Sequence, residues 1–195
     1  MIRNEARAGR SLGAAWRWLA PLLVTWMLLA VAISAGGCEP QGDREAVVDP
    51  ALIAFLSKAR AAHHRADLAE RDGSRKDAIA AVSTILDGPQ PPTSPELVEV
   101  VADARARRAD LRSQDGDFEG AARDIEEGLQ AAVAITHFRG HLYEVGGLVA
   151  ERQATTLGQA GNGAAAAAAK ERAIVLYEQA IDVQDKVIEA ALVDQ

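Results

Sequence analysis

The sequence predicts an all-α fold of about three helical hairpins stacked as a solenoid, preceded by an N-terminal hydrophobic segment. Three observations carry that expectation. Hydrophobic residues make up 49% of the chain but aromatics only 4%, so the apolar content is mostly Ala, Leu, Val and Ile, which suits close helix packing rather than β-sandwiches. A block, Arg65-Ala66-Asp67-Leu68 with Asp72-Gly73, recurs 43 residues later as Arg108-Ala109-Asp110-Leu111 with Asp115-Gly116; six identities at one offset mark an internal repeat. The same offset carries Ala78, Ile79, Val82 and Leu86 onto Ala121, Ala122, Ile125 and Leu129, and this spacing forms one apolar stripe on a helix.

The first element is the hydrophobic segment. Arg3, Arg7, Arg10 and Arg17 precede an uncharged run from Trp18 to Gly37, the basic and apolar regions of an export signal. The Arg-rich side is expected to stay in the cytoplasm, which puts the rest of the chain outside it. The run closes on Ser34-Ala35-Gly36-Gly37 before Cys38, the only cysteine in the chain. This stretch resembles the lipobox of bacterial lipoproteins, where small residues precede a cysteine that is lipidated and becomes the new N-terminus. The resemblance implies that Cys38 is the lipidation site and that residues 1–37 are removed. With Glu39 rather than Asp after the cysteine, it also implies the outer membrane, facing the periplasm. An uncleaved anchor is one alternative, since about 20 apolar residues are long enough to span a bilayer, and a freely secreted product is the other.

Residues 38–49, with Pro40 and Gly42, read as a polar tether. A helical domain over 50–195 follows. Its first helix starts at Pro50, capped by Asp49. Gly73 turns the chain into the second helix, which Gly88 ends as a C-terminal cap. The Pro-rich connection over 87–95 is a stiff loop that restarts the helix after Thr93 or Ser94. Gly116 turns the second hairpin. A third copy of the stripe appears as Ala173, Ile174, Tyr177 and Ile181, with Ala180 on the same face. The Ala164 to Ala169 run before it reads as a solvent-side helical extension.

At this point the chain resembles tetratricopeptide (TPR) repeats. Gly116-Asp117-Phe118-Glu119-Gly120-Ala121 looks like the turn and second-helix start of that repeat, and Ala173-Ile174-Val175-Leu176-Tyr177-Glu178-Gln179-Ala180 looks like its second helix. Ala66 and Ala109 match the small residue at which the two helices of a repeat touch. The copies here are spaced 43 and then 52 residues apart, where the family has 34. The resemblance implies a TPR-like solenoid that binds a protein or peptide partner, a non-catalytic scaffold or adaptor module tethered to the cell envelope.

Chemistry-bearing motifs are few. There is no Gly-rich phosphate loop, no nucleophile elbow and no Cys/His metal cluster, so the expectation is a protein without catalysis or cofactor. Beyond residue 37 the chain carries 17 basic and 27 acidic groups, a surface that repels phosphate backbones and argues against nucleic-acid binding. One constellation suggests an alternative, an envelope metal or solute binder. His137, His141 and Glu144 stand at i, i+4 and i+7, which on a continuous helix puts two imidazoles and a carboxylate on one face. Gly140 between them is expected to mark the turn into the third hairpin and to splay them. His63 and His64 are expected to be solvated. The charge runs Arg105, Arg107, Arg108 and Asp124, Glu126, Glu127 read as solvent faces of amphipathic helices, or as the rim of a concave groove.

Overall fold

A computed structural model describes residues 49–193, which form six α-helices and, among the described residues, no strand. These are α1 (Pro50–Arg71), α2 (Arg75–Leu86), α3 (Pro95–Gln114), α4 (Phe118–Ala131), α5 (His137–Gln159) and α6 (Gly163–Val193). The export segment over 1–37, Cys38 and the tether up to residue 48 lie outside the described residues. No described helix is long and apolar enough to cross a membrane.

Local chemistry sets the helix boundaries. The Asp49 carboxylate accepts the Ala51 N–H at 2.9 Å and Pro50 occupies the first turn, where its missing N–H costs nothing. Ser94 and Pro95 do the same for α3, with the Ser94 hydroxyl accepting the Leu97 N–H at 3.2 Å. Asp117 caps α4 through the Gly120 N–H at 2.9 Å.

Each hairpin closes on one turn. Gly73, Gly116 and Gly161 take φ of 76°, 87° and 77°, a left-handed conformation that glycine adopts without a Cβ penalty. The next residue then donates its N–H five residues back, from Ser74 to Ala69, Asp117 to Arg112 and Asn162 to Leu157, at 2.8 to 2.9 Å. This is the Schellman arrangement, which satisfies carbonyls the helix end leaves free. Gly88, read as another such cap, follows the end of α2 but is not left-handed.

The hairpins pack in sequence. Helix α1 pairs with α2, α3 with α4 and α5 with α6; α3 lies against α1 and α2, and α5 against α3 and α4. Helices α1 and α6 do not touch, so the stack is not closed into a bundle. Phe55, Ala62, Val82, Ile85, Leu97 and Leu111 form one core and Ala106, Ala121, Ile125, Leu142 and Val145 the next. Ala66, Ala109 and Ala154 are all buried on the first helices of their hairpins, where a larger side chain would separate the layers.

Three expectations need correction here. The third turn glycine follows Gly116 by 45 residues, not 52. The seven-residue difference is about two helical turns, so the apolar stripe keeps its face but moves along α6. Along that stripe Ala173 and Ala180 are buried, while Ile174 and Ile181 are 52% and 58% exposed. The alanine run is not a solvent-side extension either, because Ala166 and Ala169 are buried against α5, the methyl group being small enough for close approach.

Gly140 is not a turn. The connection runs over 132–136, Thr136 caps α5 by accepting the Arg139 N–H at 3.4 Å, and Gly140 lies inside α5 facing Val183 and the Ala180 carbonyl of α6. Arg139 closes this connection by donating to the Leu129 and Ala132 carbonyls at 3.0 and 2.6 Å, a cation on the free carbonyls of α4.

Candidate interaction surface

The charge runs do not simply face water. Asp124 is 2% exposed and Arg108 8%, and they meet as a two-pronged pair, Arg108 Nε to Oδ2 at 3.0 Å and Nη2 to Oδ1 at 2.6 Å. Arg112 Nη1 reaches the second oxygen at 2.8 Å, and Arg108 Nη1 also donates to the Ser83 hydroxyl of α2 at 3.2 Å. Burial opposes the Arg108 charge, but hydrogen bonding and Coulomb attraction from Asp124, with a smaller contribution from Asp87, outweigh it and raise its pKa. One buried carboxylate therefore ties α3 to α4 and, through Arg108, to α2. A sequence signal existed: Asp124 falls on the same face as the apolar positions Ala121, Ile125 and Gly128.

The repeated Arg-Ala-Asp-Leu block also finds a physical role. Its aspartate reaches forward to an arginine of the next hairpin: Asp67 to Arg107 at 2.9 Å and Asp110 to Arg152 at 2.6 Å. Glu70 also accepts from Arg107, and Ser113 from Arg152 at 2.7 Å. These links join consecutive first helices, and a hollow of about 450 Å³ lies alongside, lined by Ser113, Gln114, Phe118, Leu148, Glu151 and Arg152 among others. His63 belongs to the same layer, 3.5 Å from Asp103 of α3 and half-buried rather than solvated.

On another side, α4 and α6 flank α5 without touching each other. The gap is an apolar groove of about 260 Å³. Its walls are Ala122, Ile125 and Leu129 of α4 and Leu176 of α6; its floor is Gly146, Val149 and Ala150 of α5. A Cβ placed on Gly146 would meet Ile125 at 3.2 Å and Leu176 at 3.4 Å, so the glycine keeps the floor open. Glu126 and Arg172 stand on opposite rims, Arg172 donating to Gln153 at 2.8 Å. At the end of the stack Tyr177 donates to Glu151 at 3.0 Å, and its ring lies over Gly147. Desolvation, then the hydrogen bond to Glu151 and its charge, push the Tyr177 phenol up to about 12.

The candidate metal group is brought onto one helix face after all. His137, His141 and Glu144 share α5, with His141 Nδ1 3.3 Å from a Glu144 carboxylate oxygen. The two imidazoles are stacked, centroids 6.3 Å apart and planes inclined by 8°. Ring-nitrogen lone pairs lie in the ring plane, so stacked rings do not aim at a common point. Among the described residues no three His, Cys, Asp or Glu side chains converge to hold a metal ion. No protein-family model, curated protein or solved structure matches the chain.

Proposed function

We propose that residues 50–195 form a TPR-like stack that binds a protein or peptide partner without catalysis, tethered to the bacterial cell envelope through the N-terminal segment. The observation that carries the binding reading is the apolar groove between α4 and α6, which is open among the described residues. A concave, mostly apolar channel with opposite charges on its rims suits one face of an amphipathic partner segment, which supplies apolar anchors to the floor and charges to the rims. The TPR-like reading is supported by three hairpins that share one glycine turn and stack with first helix on first helix. The envelope reading rests on the Arg-rich start, the apolar run and Cys38.

In-cell cross-linking of the full chain, carrying a C-terminal tag, tests the binding reading. Ala122 is exposed on the groove wall, so Ala122→Trp fills the channel without entering the core. A partner captured from the membrane fraction is expected to be lost in that variant; undiminished capture would sink the groove as the site. The lipoprotein reading is tested separately. Cleavage before Cys38 removes Trp16, Trp18 and Trp26, all the tryptophans of the chain, so membrane-extracted protein that retains indole fluorescence refutes it.

A further inference from the structure

The alternating direction of the helices sorts their connections onto two edges of the stack. The hairpin turns at Gly73, Gly116 and Gly161 share one edge. The other carries the start of α1, both connections between hairpins and the end of α6. The chemistry of the two edges differs. The turn edge is polar, built from Asp72-Gly73-Ser74-Arg75-Lys76-Asp77, Asp115-Gly116-Asp117 and Gly161-Asn162-Gly163, and among the described residues these turns present no exposed large apolar side chain. The connection edge has no charged residue over 88–95 or over 128–136. Val133 and Ile135 stand out from its second connection, 75% and 54% exposed, and Leu192 and Val193 at the end of α6 are 65% and 84% exposed. Fraying does not account for the second connection, because Arg139 holds it through the Leu129 and Ala132 carbonyls. In the first connection Pro89, Pro92 and Pro95 are exposed and have no N–H, so this backbone loses little on leaving water.

We infer that the connection edge rests on the lipid surface to which the chain is tethered, with Val133 and Ile135 inserted at headgroup depth. The inference depends on the tether proposed above and adds an orientation to it. Two features select lipid as the occupant. The first is where the chain enters. Helix α1 starts on this edge, capped by Asp49, and the ten residues between Cys38 and Asp49 span at most about 35 Å when fully extended. So short a tether holds the edge at an effective concentration of about millimolar or more, so a few apolar side chains make a contact too weak to form from free solution. The second is the absence of charge from both connections, since an ionised side chain carried towards acyl chains is costly. The groove between α4 and α6 opens at mid-helix, at Ile125, Val149 and Leu176, and stays accessible when the edge meets the membrane.

Tryptophan fluorescence of the full chain in phosphatidylcholine vesicles, brominated on the acyl chains, tests the orientation. The background carries Trp16→Phe, Trp18→Phe and Trp26→Phe, so the reporter is unique whether or not the leader is cleaved. Ile135→Trp, at an exposed position, is expected to float with the vesicles and to give blue-shifted emission that bromine quenches. Lys76→Trp, exposed on the turn edge, should float equally and keep unquenched, water-like emission. Adding Val133→Asp to Ile135→Trp should abolish the shift and the quenching, whereas Val133→Leu should retain both. Vesicle-bound protein whose residue-135 indole stays unquenched and water-like overturns the inference and leaves the tether standing. Quenching at residue 76 as strong as at residue 135 would mean that another face lies on the membrane. A blue-shifted but unquenched indole at residue 135 would mean that protein covers the edge; either result overturns the inference. Protein that does not float refutes the tether, and the inference with it.

Discussion

Replacing Asp124 by Ala tests the buried clasp most severely. The substitution removes a carboxylate that is 2% exposed and leaves Arg108, 8% exposed, with its charge among apolar neighbours. Arg108 loses its hydrogen bonds to both Asp124 oxygens and keeps Ser83 and the exposed Asp87, 3.5 Å away; Arg112 also loses one bond but is more open to solvent. Breaking a buried pair on one side costs about 3 to 5 kcal/mol, because an uncompensated charge remains inside. For a domain of this size about 1 kcal/mol corresponds to roughly 3 °C, so the expected fall in melting temperature is on the order of 10 °C. Circular dichroism of the full chain on heating measures it. The double variant Arg108→Met with Asp124→Leu removes both charges and is expected to recover most of the loss, since buried pairs replaced by apolar residues are often neutral. A loss below about 1 kcal/mol for Asp124→Ala, or a double variant no better than the single, would refute a desolvated pair joining α3 to α4.

Three further outcomes follow from the geometry. Gly116→Ala meets no atom within 4 Å, so its cost is backbone strain alone, about 1 to 2 kcal/mol by thermal melting, and Gly116→Asn should cost less; equal losses would contradict the left-handed turn. Glu151→Gln removes a charge and a charged acceptor from Tyr177, so its ionisation midpoint should fall from about 12 towards the ordinary value of about 10. Titrated in a Tyr143→Phe background, an unmoved midpoint would show that Glu151 does not act on it. Because the folded phenol is held protonated, its contribution to stability is full below about pH 10 and is lost as pH rises through about 12. Finally, Gly147→Ala places a Cβ 2.6 to 2.9 Å from the Tyr177 ring, and the displacement should outweigh the gain in helix propensity and leave the protein about 1 kcal/mol less stable; a stabilised variant would mean the ring swings clear.

Much of the architecture was legible because helices announce themselves locally. Asp49-Pro50 and Ser94-Pro95 cap helices by side chains within three residues of the groups they satisfy, and Gly73 and Gly116 sit where only a left-handed residue ends one helix and starts the next. Gly140 misled because glycine is equally at home where two helices approach closely, and nothing within a few residues distinguishes the two uses. The third copy was misaligned because α6 is long and its alanines match the pattern at several registers.

The candidate surface was less legible. The groove between α4 and α6 depends on two helices that leave a gap, and the solvent-side reading of Arg108 and Asp124 failed because their partnership spans two helices and is sealed by a third. The role of Asp67 and Asp110 was written as a repeat, but the arginines they bind carry no matching signature in the blocks that revealed it. The sequence by itself determined where helices begin, turn and repeat, because capping, glycine conformation and apolar periodicity act over one or two turns of chain. Only the tertiary structure decided which charges are buried and which apolar side chains reach the core, because desolvation depends on what the neighbouring hairpin brings against each face.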